Sequence, residues 1–450
     1  MNHRLYIKVL CLSVTFLLPG IITNAQTKDP VGLDELLSSL KDNSRPIRIK
    51  EMQILEKESK VKEAGIKKYP VVSLSSAYQY NVNVGELGIP AGTLGQLPLS
   101  PTNVVSLPAQ NLNFPLGEHH TFNAGAAVYQ PLTQLGKIQA GIDVAKVDHE
   151  MSKLEKSQIE LQLQSAVEQL YYGILVVRKR QLEAAKNIEV AKLQLYDVEG
   201  AVISGKTISV SEAGLKANIA DEEQKLLKLN FEEQDYIAEL RQLTGIDLES
   251  VELKEPAAAV KQLNIADLHQ SGNINNVDVQ LSRLQEQKAT IGIRAAQKSS
   301  LPEIGVLAGY TYQLGNAIFP QSNPFIGASL KWNIQDLFSN KETISQRKLL
   351  HQQAAENVKY VEEQTNTAID KAYRKWQQSQ ALIQVATKAV GYRKEALRIE
   401  NDKKAAGLNT PIQLLTAESS LAKAEADLYA AMLNEQIVLI ELRKLTTTPR

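Results

Sequence analysis

The chain is written twice, and any fold it adopts must accommodate two copies of one plan. Leu33-Asp34-Glu35-Leu36 corresponds to Ile265-Ala266-Asp267-Leu268 at an offset of 232. The same offset aligns Asn43 with Asn275, Ala64 with Ala296, Pro70 with Pro302, and Tyr78 and Tyr80 with Tyr310 and Tyr312. Further along the offset falls to 202 and stays there. Ala166 to Tyr171 then matches Ala368 to Tyr373, Gly205 matches Gly407, and Leu240 to Thr244 matches Leu442 to Thr446. The change falls in one Gly/Pro-rich stretch, 83–122, whose counterpart at 315–324 is short. The sequence therefore divides into a first repeat over 26–262 and a second over 263–450.

Each half predicts helix, strand, loop, strand, long helix, tight turn and helix. Four stretches alternate with period two, at 71–82, 122–132, 303–314 and 325–334. In the first, Val72, Leu74, Tyr78, Tyr80 and Val82 share one face, and Ser73, Ser75, Gln79 and Asn81 share the other. Segments of about ten residues with this pattern have the dimensions of membrane-barrel strands. An ordinary sheet with one wet face alternates in the same way, so the strands alone do not decide.

The helices do. The predicted segments 135–199 and 335–404 contain no proline and would each reach about 100 Å, far beyond a globular helix. They lead through tight turns to helices at 208–243 and 411–445. Apolar residues recur with a period near 3.5: Leu170, Ile174, Val177, Ala184, Ile188, Ala191, Leu195 and Val198, then Leu215, Ile219, Leu226, Leu229, Tyr236 and Leu240. Mixed Leu and Ala at such positions suit closely packed antiparallel coiled coils. Gln181 and Glu233 interrupt the seam and predict one wet face, as a hollow helical wall requires.

The first residues predict an export signal. Arg4 and Lys8 precede a short apolar run from Val9 to Ile22, broken by Pro19 and Gly20. Thr23-Asn24-Ala25 supplies the small residues of a cleavage site between Ala25 and Gln26. The sole cysteine, Cys11, lies in that segment behind Val9-Leu10, which is no lipidation motif, so no thiol, disulfide or lipid is expected after cleavage.

No later apolar run is long enough for a spanning helix, so any crossing is made by strands. Four strands cannot close a membrane barrel, and open edges in lipid each leave costly unpaired groups. Copies must close it. A dimer supplies eight strands and a side-chain-filled interior, whereas a trimer supplies twelve, wide enough for a lumen.

Several motifs, in order, resemble the TolC family of outer-membrane efflux proteins over nearly the whole chain after the signal segment. They are Ala64 with Tyr69-Pro70, Ala296 with Leu301-Pro302, Gln130-Pro131-Leu132, Ala406 to Thr410, and Leu414 to Glu418. The resemblance implies an α+β membrane protein, a homotrimer whose twelve-stranded barrel sits in outer-membrane lipid and continues into a periplasmic helical tunnel. It implies a passive duct for tripartite efflux or type I secretion, opened by a periplasmic adaptor protein and an inner-membrane pump. Gly205, Lys206 and Thr207, with Gly407, Leu408, Asn409 and Thr410, would be the adaptor-docking tips. Family members often place acidic residues six and nine positions after the tip glycine. Here Ser211, Gly214, Gln413 and Thr416 stand there as the candidate aperture, with Glu212, Asp402 and Glu418 nearby.

Other classes find little support. Fifty basic residues balance fifty acidic ones, which leaves no footprint for nucleic acid. His3, His119, His120, His149, His269 and His351 form no metal or catalytic motif, and no enzyme or cofactor is expected. His119-His120 is predicted in a solvated external loop. The alternative reading is a soluble periplasmic coiled-coil adaptor, which would carry one helical hairpin and no doubled strand pairs.

Overall fold

The computed structural model describes residues 30–101, 103–204, 209–247, 253–254, 263–316, 319–408 and 411–446. The expected signal segment, with its expected cleavage site at Ala25 and Gln26, lies outside the described residues.

Each half begins with a broken pair of helices. In the first, α1 (Leu33–Asn43) and α2 (Arg45–Ile66) part at Ser44, where the backbone turns extended and Pro46 starts the new helix. In the second, α5 (Ile265–Asn275) and α6 (Val277–Ser299) part at Asn276, whose side chain accepts from the amides of Asp278 and Val279. Ser44 and Asn276 are equivalent at the offset of 232.

A sheet of four antiparallel strands follows the order β1 (Val71–Tyr80), β6 (Gly117–Pro131), β7 (Glu303–Asn316), β8 (Ser322–Lys331). The region from 83 to 121, read as a loop, holds more structure. Within it β2 (Glu86–Ile89) pairs with β5 (Leu112–Pro115), and β3 (Gly95–Ser100) pairs with β4 (Asn103–Leu107). Strand β6 already starts at Gly117, so His119 and His120 sit in a strand and not in a solvated loop. At the other end β8 stops at Lys331. Trp332 lies beyond it, donating from its indole to the Ser300 carbonyl at 3.2 Å.

From the sheet descend α3 (Leu135–Ile203) and α7 (Gln335–Ala405), of 69 and 71 residues. They return through α4 (Ser209–Thr244) and α8 (Pro411–Thr446). Two packed cores hold the repeats at mid-height. Leu36 and Leu40 of α1 pack with Val167, Tyr171 and Ile174 of α3 and Leu240 of α4. In the second half Ile369 and Ala372 of α7 and Val438 and Leu442 of α8 pack with Leu268 of α5. The cores differ by a volume exchange: Leu40 and Val167 in one correspond to Gly272 and Ile369 in the other. A Cβ on Gly272 would meet the Ile369 Cδ1 at 2.5 Å, so the larger α7 side chain occupies the space a leucine fills in the first half.

In the seam between α3 and α4, Gln181 and Glu233 meet each other and stay partly exposed. Arg178 Nε donates to Glu233 Oε1 at 2.7 Å, and Gln181 Nε2 donates to Glu233 Oε2 at 2.8 Å and to Asn230 Oδ1 at 3.1 Å. A half-buried carboxylate paired this way has its charge and lone pairs satisfied across the seam.

Candidate channel wall and tip

Register divides the sheet into two chemically distinct faces. Leu74, Ala126, Tyr310 and Pro324 are cross-strand neighbours on one face, as are Val72, Val128, Ala308 and Ile326. Leu74 is 83% exposed and Ile326 82%, an apolar surface that water covers only at a cost. Ser75, Gly125, Thr311 and Asn323 lie in a row on the opposite face. There, large rings lie down on glycines: Tyr129 occupies the space beside Gly305, and Phe325 that beside Gly309. Such covering fills the gap left by a missing side chain and keeps the polar face low.

Aromatic residues gather at the strand ends far from the long helices. Tyr78 Oη lies 2.7 Å from His120 Nδ1, and the two rings stack, as do Tyr80 and His119. His119 Nδ1 lies 2.8 Å from the Asn81 carbonyl. These contacts account for the histidine pair as part of an aromatic belt of the kind that borders a membrane barrel. Among the described residues no helix is long and apolar enough to cross a membrane.

At every level the chain forms an arc of four elements, and the arc never closes on itself. The sheet runs β1, β6, β7, β8. Below it the packing order is α2, α3, α6, α7, and lower still α4, α3, α8, α7. One edge always belongs to the first repeat (β1, α2, α4) and the other to the second (β8, α7). These edges carry exposed apolar side chains, including Ile49, Met52 and Leu55 on α2, Phe231 on α4, and Leu349, Leu382 and Val385 on α7. Because β1 and β8 run antiparallel, a β8 edge can pair with the β1 edge of another copy in an all-antiparallel ring.

At the lower end α7 stops in a glycine cap. Gly407 takes φ +71°, its amide donates to the Lys404 carbonyl at 3.0 Å, and the Leu408 amide donates to that of Lys403 at 2.8 Å. These two bonds form a Schellman motif, which requires a left-handed residue at this point. Leu408 projects into solvent, 77% exposed. Gly205, Lys206, Thr207, Asn409 and Thr410 lie outside the described residues.

Of the candidate aperture residues, Gly214 and Gln413 are exposed near the helix ends. Ser211 lies in the first turn of α4. Thr416 is exposed, and its hydroxyl donates to the Ile412 carbonyl at 2.7 Å. The nearby acidic residues each have a cation: Glu212 meets Lys216 at 2.5 Å, Asp402 meets Arg398 at 2.9 Å, and Glu418 meets Lys186 at 3.1 Å. The first two pairs have the i,i+4 spacing of one helix face, whereas Lys186 and Glu418 belong to different repeats and periodicity gave no signal for them.

The second repeat departs from the first at one buried carboxylate. Glu435 stands where Glu233 does, but Gln380 replaces Arg178, so the Gln380 amide and not a guanidinium donates to it. Burial there pushes the Glu435 carboxyl above the usual carboxylate range, and the Gln380 hydrogen bond offsets only part of that. Above it Glu168, also buried, is held by Arg443 at 2.8 Å.

A four-stranded open sheet continued by helices of this length defines the barrel-and-tunnel fold of outer-membrane channels. The chain superposes on the Campylobacter jejuni CmeC outer membrane channel with a TM-score of 0.71 at 13% identity, over 99% of this chain and 94% of that one. On the outer membrane protein VceC of Vibrio cholerae the values are 0.67 and 16%, over 93% and 97%. On the open state of the MtrE outer membrane channel of Neisseria gonorrhoeae they are 0.63 and 15%, over 93% and 89%. Comparison with curated proteins finds no match. Residues 268–448, nearly all of the second repeat, match the family model described as outer membrane efflux protein.

Proposed function

We propose that three copies of this chain close head to tail into a duct across a bacterial outer membrane. The duct has a twelve-stranded barrel in lipid and a helical tunnel in the periplasm, and it serves efflux or secretion. The observation that carries this reading is the arc with the same two open edges in the sheet, the upper helices and the lower helices. One rotation satisfies all three at once, and in lipid the unpaired β1 and β8 edges cost several kcal/mol for each unmade hydrogen bond until it is applied. A soluble adaptor would have no use for a sheet whose apolar face is uncovered.

The polar face then lines the barrel, and transport is passive because no site of chemistry is needed. The tips bearing Gly407 and Leu408, with Gly205, Lys206, Thr207, Asn409 and Thr410, are the docking points for a periplasmic adaptor that couples the duct to an inner-membrane pump. Ser211, Gly214, Gln413 and Thr416 border the aperture. Light scattering of the detergent-extracted protein and planar-bilayer recording test the duct. A trimer that conducts supports it; a stable monomer, or a trimer without conductance under any opening condition, overturns it.

A further inference from the structure

The duct does not use the hairpins between β1 and β6, at the end of the barrel remote from the helices. They form two storeys, each with an apolar face. In the lower storey Leu87 faces Phe114 and Ile89 faces Leu112; in the upper one Leu97 faces Val105. Leu87 and Leu97 are each half-exposed, and on the other face of the upper storey Gln96 pairs with Ser106. Two-stranded units with an uncovered apolar face are marginal in water, so something covers them.

Among the described residues the chain offers no cover of its own, and the equivalent turn of the second repeat only joins Asn316 to Ser322. From 87 to 117 there is no Asp, Glu, Lys, Arg or His. Like copies therefore meet without charge repulsion. The hairpins also grow out of β1, the open-edge strand that meets β8 of the next copy when the ring closes, so they continue that interface upward. Closure brings three of them to one mouth at an effective concentration of the order of millimolar.

We infer that the three hairpins pack apolar face to apolar face around the three-fold axis, as a collar over the outer mouth of the duct. Each hairpin's partner is the same segment of the other two copies. The inference rests on the trimeric duct and fails separately from it.

Cysteine chemistry tests it, since the only native cysteine, Cys11, lies far from the hairpins in sequence. Leu97→Cys and Gln96→Cys proteins are purified in detergent, shown by light scattering to be trimers, and treated with a short bismaleimide. Leu97→Cys should give about tenfold more covalent dimer than Gln96→Cys, and should react correspondingly more slowly with a bulky, charged maleimide. Val105→Cys stands in if Leu97→Cys fails to assemble. Equal labelling at both faces with no cross-linking in a proven trimer overturns the collar and leaves the duct intact. Quenching of a fluorophore at position 97 by lipid-attached nitroxide also overturns it, by placing the face in the outer leaflet. A monomeric preparation overturns both.

Discussion

Replacing Gly407 isolates one backbone conformation at the end of a 71-residue helix. The residue holds φ +71°, and a Cβ built there meets nothing within 4 Å. Gly407→Ala therefore adds no steric clash, only the cost of placing an L-residue in the left-handed region, about 1–2 kcal/mol. That cost falls on the two amides that close the cap, at Gly407 and Leu408. Their local opening should become about 5 to 30 times more frequent, a shift read directly as faster hydrogen exchange in a peptide spanning the end of α7. Gly407→Asn, which tolerates this conformation better, should fall between wild type and Gly407→Ala. Gly407→Val should be worst, because its branched Cβ is least tolerant of positive φ. Thermal unfolding of the protein should not move, since the cap lies at a frayable helix end. Export in cells that rely on this duct should fall in the same order as cap stability. Unchanged exchange would refute the conformational account, and unchanged export with a loosened cap would remove the tip from docking.

Three further outcomes follow from particular contacts. The buried Glu435 carboxyl holds its proton to higher pH than in the unfolded chain, so the folded state loses stability as pH rises through and above the usual carboxylate range. Glu435→Gln should therefore stabilise the helices at pH 7.5 relative to wild type and change little near pH 4, as read by circular dichroism melts; a gain at acid pH alone would reverse the sign. Gly272→Ala should destabilise by about 1–3 kcal/mol through overpacking against Ile369, and Ile369→Val in the same chain should restore most of it. With Ser211, Gly214, Gln413 and Thr416 uncharged and Glu212, Asp402 and Glu418 paired, trivalent cations on the periplasmic side should block the unmodified channel weakly. Gln413→Asp with Thr416→Asp should create a salt-sensitive block; tight block of the wild type would show that another ring lines the aperture.

Local rules made the architecture legible. Alternation of Val72, Leu74, Tyr78 and Tyr80 is a property of one strand, and the 3.5-residue seam through Leu170, Ile174 and Val177 is a property of one helix. Absence of proline sets how far a helix runs, and a glycine before a proline-started helix marks where it turns back. The open region 83–121 misled because Gly and Pro signal turns without saying what the residues between them pair with. Its β3–β4 pairing depends on which leucine meets which valine, and Leu97 meets Val105.

By itself, then, the sequence determined the repeats, the strand and helix types and the need for partners, because each follows from spacing along the chain. Only the tertiary structure decided which polar residues are satisfied. Glu233 and Glu435 occupy the same repeat position, yet one is held by Arg178 and the other by Gln380, partners about fifty residues away across a seam. Only the tertiary structure showed that Lys186 links to Glu418, and that β1, α2 and α4 lie along one edge with β8 and α7 along the other. Such contacts depend on how helices about 100 Å long cross, and a shift of one turn would exchange every partner while leaving the hydrophobic period unchanged.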